Sequence, residues 1–206
     1  MVSEIIPSIL PEKYKTISKS SEGIYKEKGS KFLSFALPVT NVSEIKEILE
    51  KYRKEYFDAR HVCYAYMLGE ERDTFRANDD GEPSGTAGRP ILGQINSFEL
   101  TNVLIIVVRY FGGILLGTGG LVAAYKEATA DAIKNSEIIE KTIELPLSIH
   151  FTYELMSDVS RIIKEFDLNI SQQKFETECD MTFSIPKDKY ELIHKRFEKI
   201  YGVEIM

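Results

Sequence analysis

The stretch 101–109 (TNVLIIVVR) carries an unbroken apolar run, Val103 to Val108, and restricts the fold more than any other part of the chain. β-Branched residues dominate it and favour strand over helix. A strand apolar on both faces must be covered on both, so it belongs at the centre of a sheet. The segment 61–68 (HVCYAYML) has the same character and predicts a second such strand. Residues 23–39 (GIYKEKGSKFLSFALPV) predict two more, joined at a turn through Lys28, Gly29 and Ser30.

Helices complete this first half. Asn41 or Ser43 is placed to cap a helix whose Ile45, Ile48, Leu49, Tyr52 and Tyr56 recur at helical spacing. Residues 118–134 put Leu121, Val122, Tyr125, Ala128, Thr129, Ala132 and Ile133 on one stripe, a core-facing amphipathic helix. After Ser136 the pattern becomes strand, helix, strand, strand, helix, strand, over 147–153, 154–166, 168–175, 178–185, 187–200 and 203–205. That order is the ferredoxin-like βαββαβ arrangement. Residues 1–15 are expected to be a short arm leading into the first strand, with neither the basic region nor the apolar region of a signal peptide.

Two asymmetries support a division into domains at 1–136 and 137–206. Of 13 glycines, twelve lie at or before Gly120. Up to residue 135 there are 17 basic and 18 acidic residues, against 9 and 14 beyond it, so the second half holds most of the net charge of −6. A chain this acidic is not drawn non-specifically onto nucleic acid. At 206 residues it is long enough to bury roughly 70% of its unfolded surface without a metal or disulfide staple. Cys63 and Cys179 form no CxxC pair, which fits a reducing, cytoplasmic setting. No apolar run approaches the ~20 residues of a membrane span.

Two segments carry candidate chemistry. In 79–90 (DDGEPSGTAGRP), Asp79, Asp80 and Glu82 could offer carboxylate oxygens to Mg²⁺ or Ca²⁺, and Ser84, Gly85 and Thr86 could offer N–H groups to an anion at a helix start, with Arg89 beside them. The same residues could instead form a turn in which Asp79 and Asp80 cap backbone amides. In 109–120 (RYFGGILLGTGG), Arg109 and Tyr110 precede Gly112, Gly113, Gly117, Thr118, Gly119 and Gly120 at a strand-to-helix junction, where glycines admit close approach and the helix start favours anions. Thr118 and Gly119 stand where a P-loop needs Lys and Ser or Thr, and Val122 stands where a dinucleotide fingerprint needs its last glycine.

Arg109 is the one charged residue between Val103 and Tyr125. It could hold phosphate or carboxylate in a bidentate fork, or brace the fold against Asp79, Asp80 or Glu82. In the second case the two segments meet in space. His61 and Cys63 share a strand face, as a nucleophile and base would, or as packed core residues would. Lys31, with Lys26, Lys28, Arg53, Lys54 and Arg60, could contribute to a basic patch diluted by glutamates. His150 and His194 have no metal-ligand spacing and are expected at the surface.

The pair of strings 79–90 and 107–125 (VVRYFGGILLGTGGLVAAY), with Gly29-Ser30-Lys31-Phe32 and Ala59-Arg60-His61, resembles the IMPACT family, specifically its bacterial YigZ-type members. The resemblance implies an α+β protein: an N-terminal α/β sandwich of the ribosomal protein S-five second-domain type, followed by a ferredoxin-like domain. Both are similar to consecutive domains of elongation factor G. Eukaryotic members carry an additional RWD domain and restrain a starvation-activated initiation-factor kinase. Here the first strand is expected within about twenty residues of Met1, which leaves no room for that domain. The resemblance therefore implies a non-catalytic, translation-associated binding protein that contacts the ribosome, RNA or a ribosome-bound factor. On its glycine-rich surface Arg109 and Lys31 would neutralise phosphate, Ser84, Thr86 and the amides of Gly112 to Gly120 would donate hydrogen bonds, and His61 would join the same binding set, with no cofactor expected. The alternative is a Mg²⁺-dependent nucleotide or phosphate-binding enzyme that uses Asp79, Asp80 and Glu82.

Overall fold

The structure, a computed structural model, describes residues 12–206. These form two compact units, Lys13–Lys141 and Thr142–Met206, with Glu12 grouped with the second. Each unit is an α+β body.

The first unit is built on a five-stranded antiparallel sheet. Its strands are β2 (Ser21–Glu27), β3 (Ser30–Pro38), β4 (His61–Leu68), β5 (Thr74–Asn78) and β6 (Val103–Tyr110), in the order β2-β3-β6-β4-β5. The doubly apolar β6 lies at the centre beside β4, as its composition requires. One face, with Phe32, Ala36, Cys63, Ala65, Ile105 and Val107, packs on α2 (Gly88–Ser97) and α3 (Gly117–Lys134). The other, with Phe35, Tyr64, Leu104 and Ile106, packs on α1 (Val42–Glu55). Asn41 caps α1 by accepting from the Glu44 N–H at 2.9 Å. Burial of each large core side chain, such as Phe32 or Tyr125, contributes about 1.5–3 kcal/mol.

Three strands escape the sequence pattern. β5 is short and mostly exposed, and exists because its backbone pairs with β4 from Tyr64↔Asn78 to Leu68↔Thr74. β1 (Lys13–Ile17) and β7 (Ile138–Thr142) pair with each other across most of the chain, and Thr101 N–H adds a bond to Lys15 O at 2.9 Å. Of the expected N-terminal arm, residues 1–11 lie outside the described residues, and β1 replaces the rest. The β1–β7 pairing carries the first unit as far as Lys141, within β7, where the expected boundary was 136/137. From Ile143 onward the backbone serves the second unit: Ile143 N–H donates to Glu12 O, and Lys187 N–H donates to Ile143 O, both at 2.9 Å.

The second unit runs β8 (Glu144–Phe151), α4 (Met156–Phe166), β9 (Asn169–Phe175), β10 (Cys179–Pro186), α5 (Lys187–Glu198) and β11 (Glu204–Ile205). This is the strand and helix order that the sequence pattern predicts, in an antiparallel sheet ordered β11-β8-β10-β9. Leu147, Ile149 and Phe151 alternate with polar neighbours and pack with Phe183 and both helices. Phe183 and Phe197 stack at 5.4 Å between ring centroids. His150 is half-buried on the polar side of β8, with Asp180 2.7 Å from Nδ1 and Glu178 2.9 Å from Nε2.

Candidate functional site

The site grows out of strand register. Phe32 on β3, Arg109 on β6 and His61 on β4 are direct cross-strand partners, so their side chains stand in one row on the face that carries α2 and α3. A guanidinium in that row is almost wholly buried and needs compensation. Glu82 supplies it: Arg109 Nη1 donates to Glu82 Oε1 at 2.6 Å, and Tyr125 OH on α3 donates to the same oxygen at 2.8 Å. The Phe32 and Phe111 rings lie 5.5 and 5.6 Å from Arg109 Cζ and present their faces to the cation.

Segments 79–90 and 107–125 therefore meet, and the strut reading of Arg109 is the observed one. Where they meet, a cavity of about 400 Å³ opens, lined by Arg60, His61, Glu82, Pro83, Arg109, Phe111, Leu115, Leu116, Gly117, Thr118 and Leu121. The volume is within the range of small-molecule pockets. His61 Nδ1 lies 2.7 Å from the Asp80 carbonyl oxygen, which can only accept, so Nδ1 carries the proton. His61 Nε2 is 3.8 Å from Glu82 Oε2, an oxygen that receives no hydrogen bond from the described protein residues. Along one wall α3 begins at Gly117, and among the described residues no side chain caps its first amides.

The Impact N-terminal domain matches residues 28–133, half of the chain and all of this site. YigZ of Escherichia coli is 32% identical over 164 residues, covering 79% of this chain and 80% of that protein. YvyE of Bacillus subtilis is also 32% identical, over 152 residues, covering 74% and 70%. The chain belongs to the IMPACT family. A solved structure described as a hypothetical protein superposes with a TM-score of 0.74 at 28% identity, covering 96% of this chain and 98% of that one. The family resemblance drawn from the two glycine-rich strings is thus correct.

The structure brings only part of the expected residue set together. His61, Glu82, Arg109, Gly117 and Thr118 line the cavity. Gly119 and Gly120 extend the open first turn of α3. Lys31 and Tyr110 face each other across β3 and β6, one position out of phase with Phe32 and Arg109, so they stand on the opposite side of the sheet. Tyr110 OH donates instead to Asp58 at 3.0 Å.

Asp79 is a cap, as the turn reading allowed. It accepts from the N–H groups of Gly85, Ala87 and Gly88 at 2.8, 3.0 and 2.8 Å, covering the start of α2. Burial pushes its carboxyl up, but those donors outweigh burial and hold it below its ordinary 3.8. Asp80 accepts from Val62 N–H at 2.7 Å and from Arg53 at 3.3 Å. With Glu82 held by Arg109, the three carboxylates serve three separate sets of protein donors. Among the described residues, no group of three or more His, Cys, Asp or Glu side chains is spaced to hold a metal ion. The 84–86 amides are not an anion cradle either: Gly85 N–H is spent on Asp79 and Thr86 N–H on Pro83 O, while Ser84 and Arg89 are exposed. Gly112 has a structural task. A Cβ built on it falls 1.9 Å from the Gly29 carbonyl carbon, and its N–H donates to Ser30 Oγ at 3.2 Å. Gly113, at φ 87°, turns the loop.

Cys63 is excluded as a nucleophile. It is fully buried, donates to Asp79 O at 3.0 Å, and burial pushes its thiol up. Sequence reasoning missed the apolar rim, Phe111 and Leu115, which are 48% and 82% exposed. The signal was present in FGGILLGTGG: an apolar trio, Ile114 to Leu116, between glycines and preceded by Phe111, in a stretch without strand or helix periodicity.

Proposed function

We propose that this chain is a non-catalytic, translation-associated regulator acting in the cytoplasm, and that it contacts the ribosome, its RNA or a factor bound there through the glycine-rich face at the start of α3. The family resemblance supplies the translational setting. In support of the finer fold assignment, the layered antiparallel first unit fits the S-five second-domain type, and the β11-β8-β10-β9 sheet with its βαββαβ order fits the ferredoxin-like type.

One observation carries the docking reading. Gly117, Gly119 and Gly120 leave the uncapped α3 start bare beside Arg60 and an exposed apolar rim. A Cβ built on Gly119 meets nothing within 4 Å, so that glycine is not required by packing inside the chain, whereas Gly117 answers its own left-handed φ of 71°. A surface that keeps helix-weakening glycine at about 1 kcal/mol per residue suits the close approach of a partner. The more acidic second unit is better suited to protein than to phosphate. No described carboxylate cluster favours the magnesium–nucleotide alternative.

Co-sedimentation with ribosomes across a salt series tests the proposal. Gly119→Glu is the informative variant: it fills open space, an acidic residue in the first turn favours the helix, and it repels an incoming anion. Binding that falls with salt and is lost in Gly119→Glu is the expected result. Absence of ribosome and RNA binding at low salt, or binding indifferent to Gly119→Glu, would refute it.

A further inference from the structure

Arg109 is only 5% exposed, yet its guanidinium is satisfied on one side alone, where Nη1 donates to Glu82 Oε1 at 2.6 Å. Its Nε is buried with no hydrogen-bond partner, and among the described residues nothing accepts from Nη2. These two groups share one edge of the planar guanidinium, because Nη1 lies on the Cδ side and Nη2 on the side of the Nε–H bond. Such an edge donates two parallel N–H bonds to a carboxylate. A buried donor without an acceptor is rare in a native fold, and this one belongs to a residue that lines the cavity of about 400 Å³. The other lining residues define what can carry the acceptor. Pro83, Phe111, Leu115, Leu116 and Leu121 give the cavity apolar walls. Its charged residues are Arg60, Arg109 and Glu82, two positive against one negative. Arg60 is exposed and forms no ion pair among the described residues. A single negative charge closes that balance.

We infer that this cavity is a receptor for a monocarboxylate carried on an apolar chain, the chemistry shared by a free short-chain acid and the C-terminal residue of a protein. The carboxylate takes the Nε and Nη2 edge of Arg109, Arg60 completes the charge balance, and the apolar chain lies against Phe111 and the leucines. A phosphate monoester fits less well. It carries a charge of about −1.5 to −2 near neutrality, more than the lining can balance beside the buried Glu82 carboxylate. The inference stands on the free edge of one guanidinium and not on the α3 start, so it is independent of the docking reading.

The test is an NMR titration of the ¹⁵N-labelled full chain, read at the Arg109 Nε–H resonance, with no ribosomes present. The probes are isocaproate, its uncharged isostere isocaproamide, acetate, inorganic phosphate and N-acetyl-L-leucine. Isocaproate is expected to move the Arg109 Nε–H signal downfield and saturably, and isocaproamide, acetate and phosphate to bind about tenfold or more weakly. Leu115→Asp, at a position 82% exposed, should weaken isocaproate about tenfold or more without loss of the folded spectrum, and Arg60→Gln should weaken it at least threefold. Arg109→Lys, if its spectrum stays dispersed, keeps the charge but loses the fork and should bind about tenfold more weakly. Tighter binding of N-acetyl-L-leucine than of isocaproate assigns the site to a chain terminus, and weaker binding to a free acid; both uphold the carboxylate reading. Equal binding of isocaproamide overturns the carboxylate assignment, equal binding of acetate overturns the role of the apolar walls, and equal binding of phosphate overturns the charge balance. No saturable shift with isocaproate or N-acetyl-L-leucine, or shifts that leave Arg109 Nε–H unmoved, overturns the whole inference, whatever the outcome with ribosomes.

Discussion

The same substitution, glycine to alanine, should have opposite signs at two positions seven residues apart. At Gly112 a Cβ would lie 1.9 Å from Gly29 C and 2.2 Å from Ser30 N, both backbone atoms of a turn fixed by β2 and β3. Ordinary carbon contacts are about 3.5–4 Å, so the loop or the hairpin turn must move by more than 1 Å. Overpacking on that scale costs about 1–3 kcal/mol, and displacement also loses the Gly112 N–H to Ser30 bond, worth about 1 kcal/mol. Reduced freedom of the unfolded chain returns about 0.5 kcal/mol. The net expectation for Gly112→Ala is a loss of about 3 kcal/mol. Gly119→Ala meets nothing within 4 Å on a helix and should gain about 0.5–1 kcal/mol. Urea unfolding followed by far-ultraviolet circular dichroism measures both. With a slope of about 2 kcal/mol per molar urea, the Gly112→Ala midpoint falls by about 1.5 M. Equal midpoints for the two variants would refute the backbone-contact account of Gly112.

Further outcomes follow from the titratable groups. Asp79 has a folded carboxyl held below its ordinary 3.8, so its contribution is complete above that value and is lost as pH falls through the lower folded value. Asp79→Asn should be less stable than the parent near neutrality, by about 1–3 kcal/mol, and lose less on acidification, as read by urea midpoints at several pH values. His150 is raised above 6.5, chiefly by its bond to Asp180, with Glu178 adding to the effect. Its stabilising contribution is present below 6.5 and lost as pH rises through the folded value; an NMR titration should show the midpoint above 6.5, and lower in Asp180→Asn. Cys63 and Cys179 are both buried, and burial pushes both thiols up, so Ellman's reagent should find neither in the native chain and both in denaturant. Rapid reaction of Cys63 in the native chain would contradict its placement beneath Asp79 and Tyr125.

Local pattern was enough wherever a segment's neighbours in sequence are also its neighbours in space. The β2–β3 hairpin is written in Lys28-Gly29-Ser30, α1 in its Asn41 cap and apolar spacing, and β8 in the alternation of Leu147, Ile149 and Phe151. The pair β1 and β7 was not legible, because each is short and polar and is a strand only through a partner more than a hundred residues away. Within the site, the two glycine-rich strings could be recognised, and so could the prospect of an Arg109 strut. The choice among Asp79, Asp80 and Glu82 as its partner could not. All three are carboxylates within four residues, and their separate tasks depend on which backbone amides and guanidinium each one reaches.

Composition and periodicity by themselves determined the central strands and the amphipathic helices, because each follows from the chemistry of one continuous stretch, and the family was carried as a resemblance by the two glycine-rich strings. Only the tertiary structure decided that Lys31 and Tyr110 stand on the far side of the sheet, and that Asp79 closes a helix. It also decided that Glu82, His61 and the start of α3 enclose a shared cavity. Those outcomes are set by cross-strand register, and a shift of one residue would exchange the two faces of the sheet and dismantle the site.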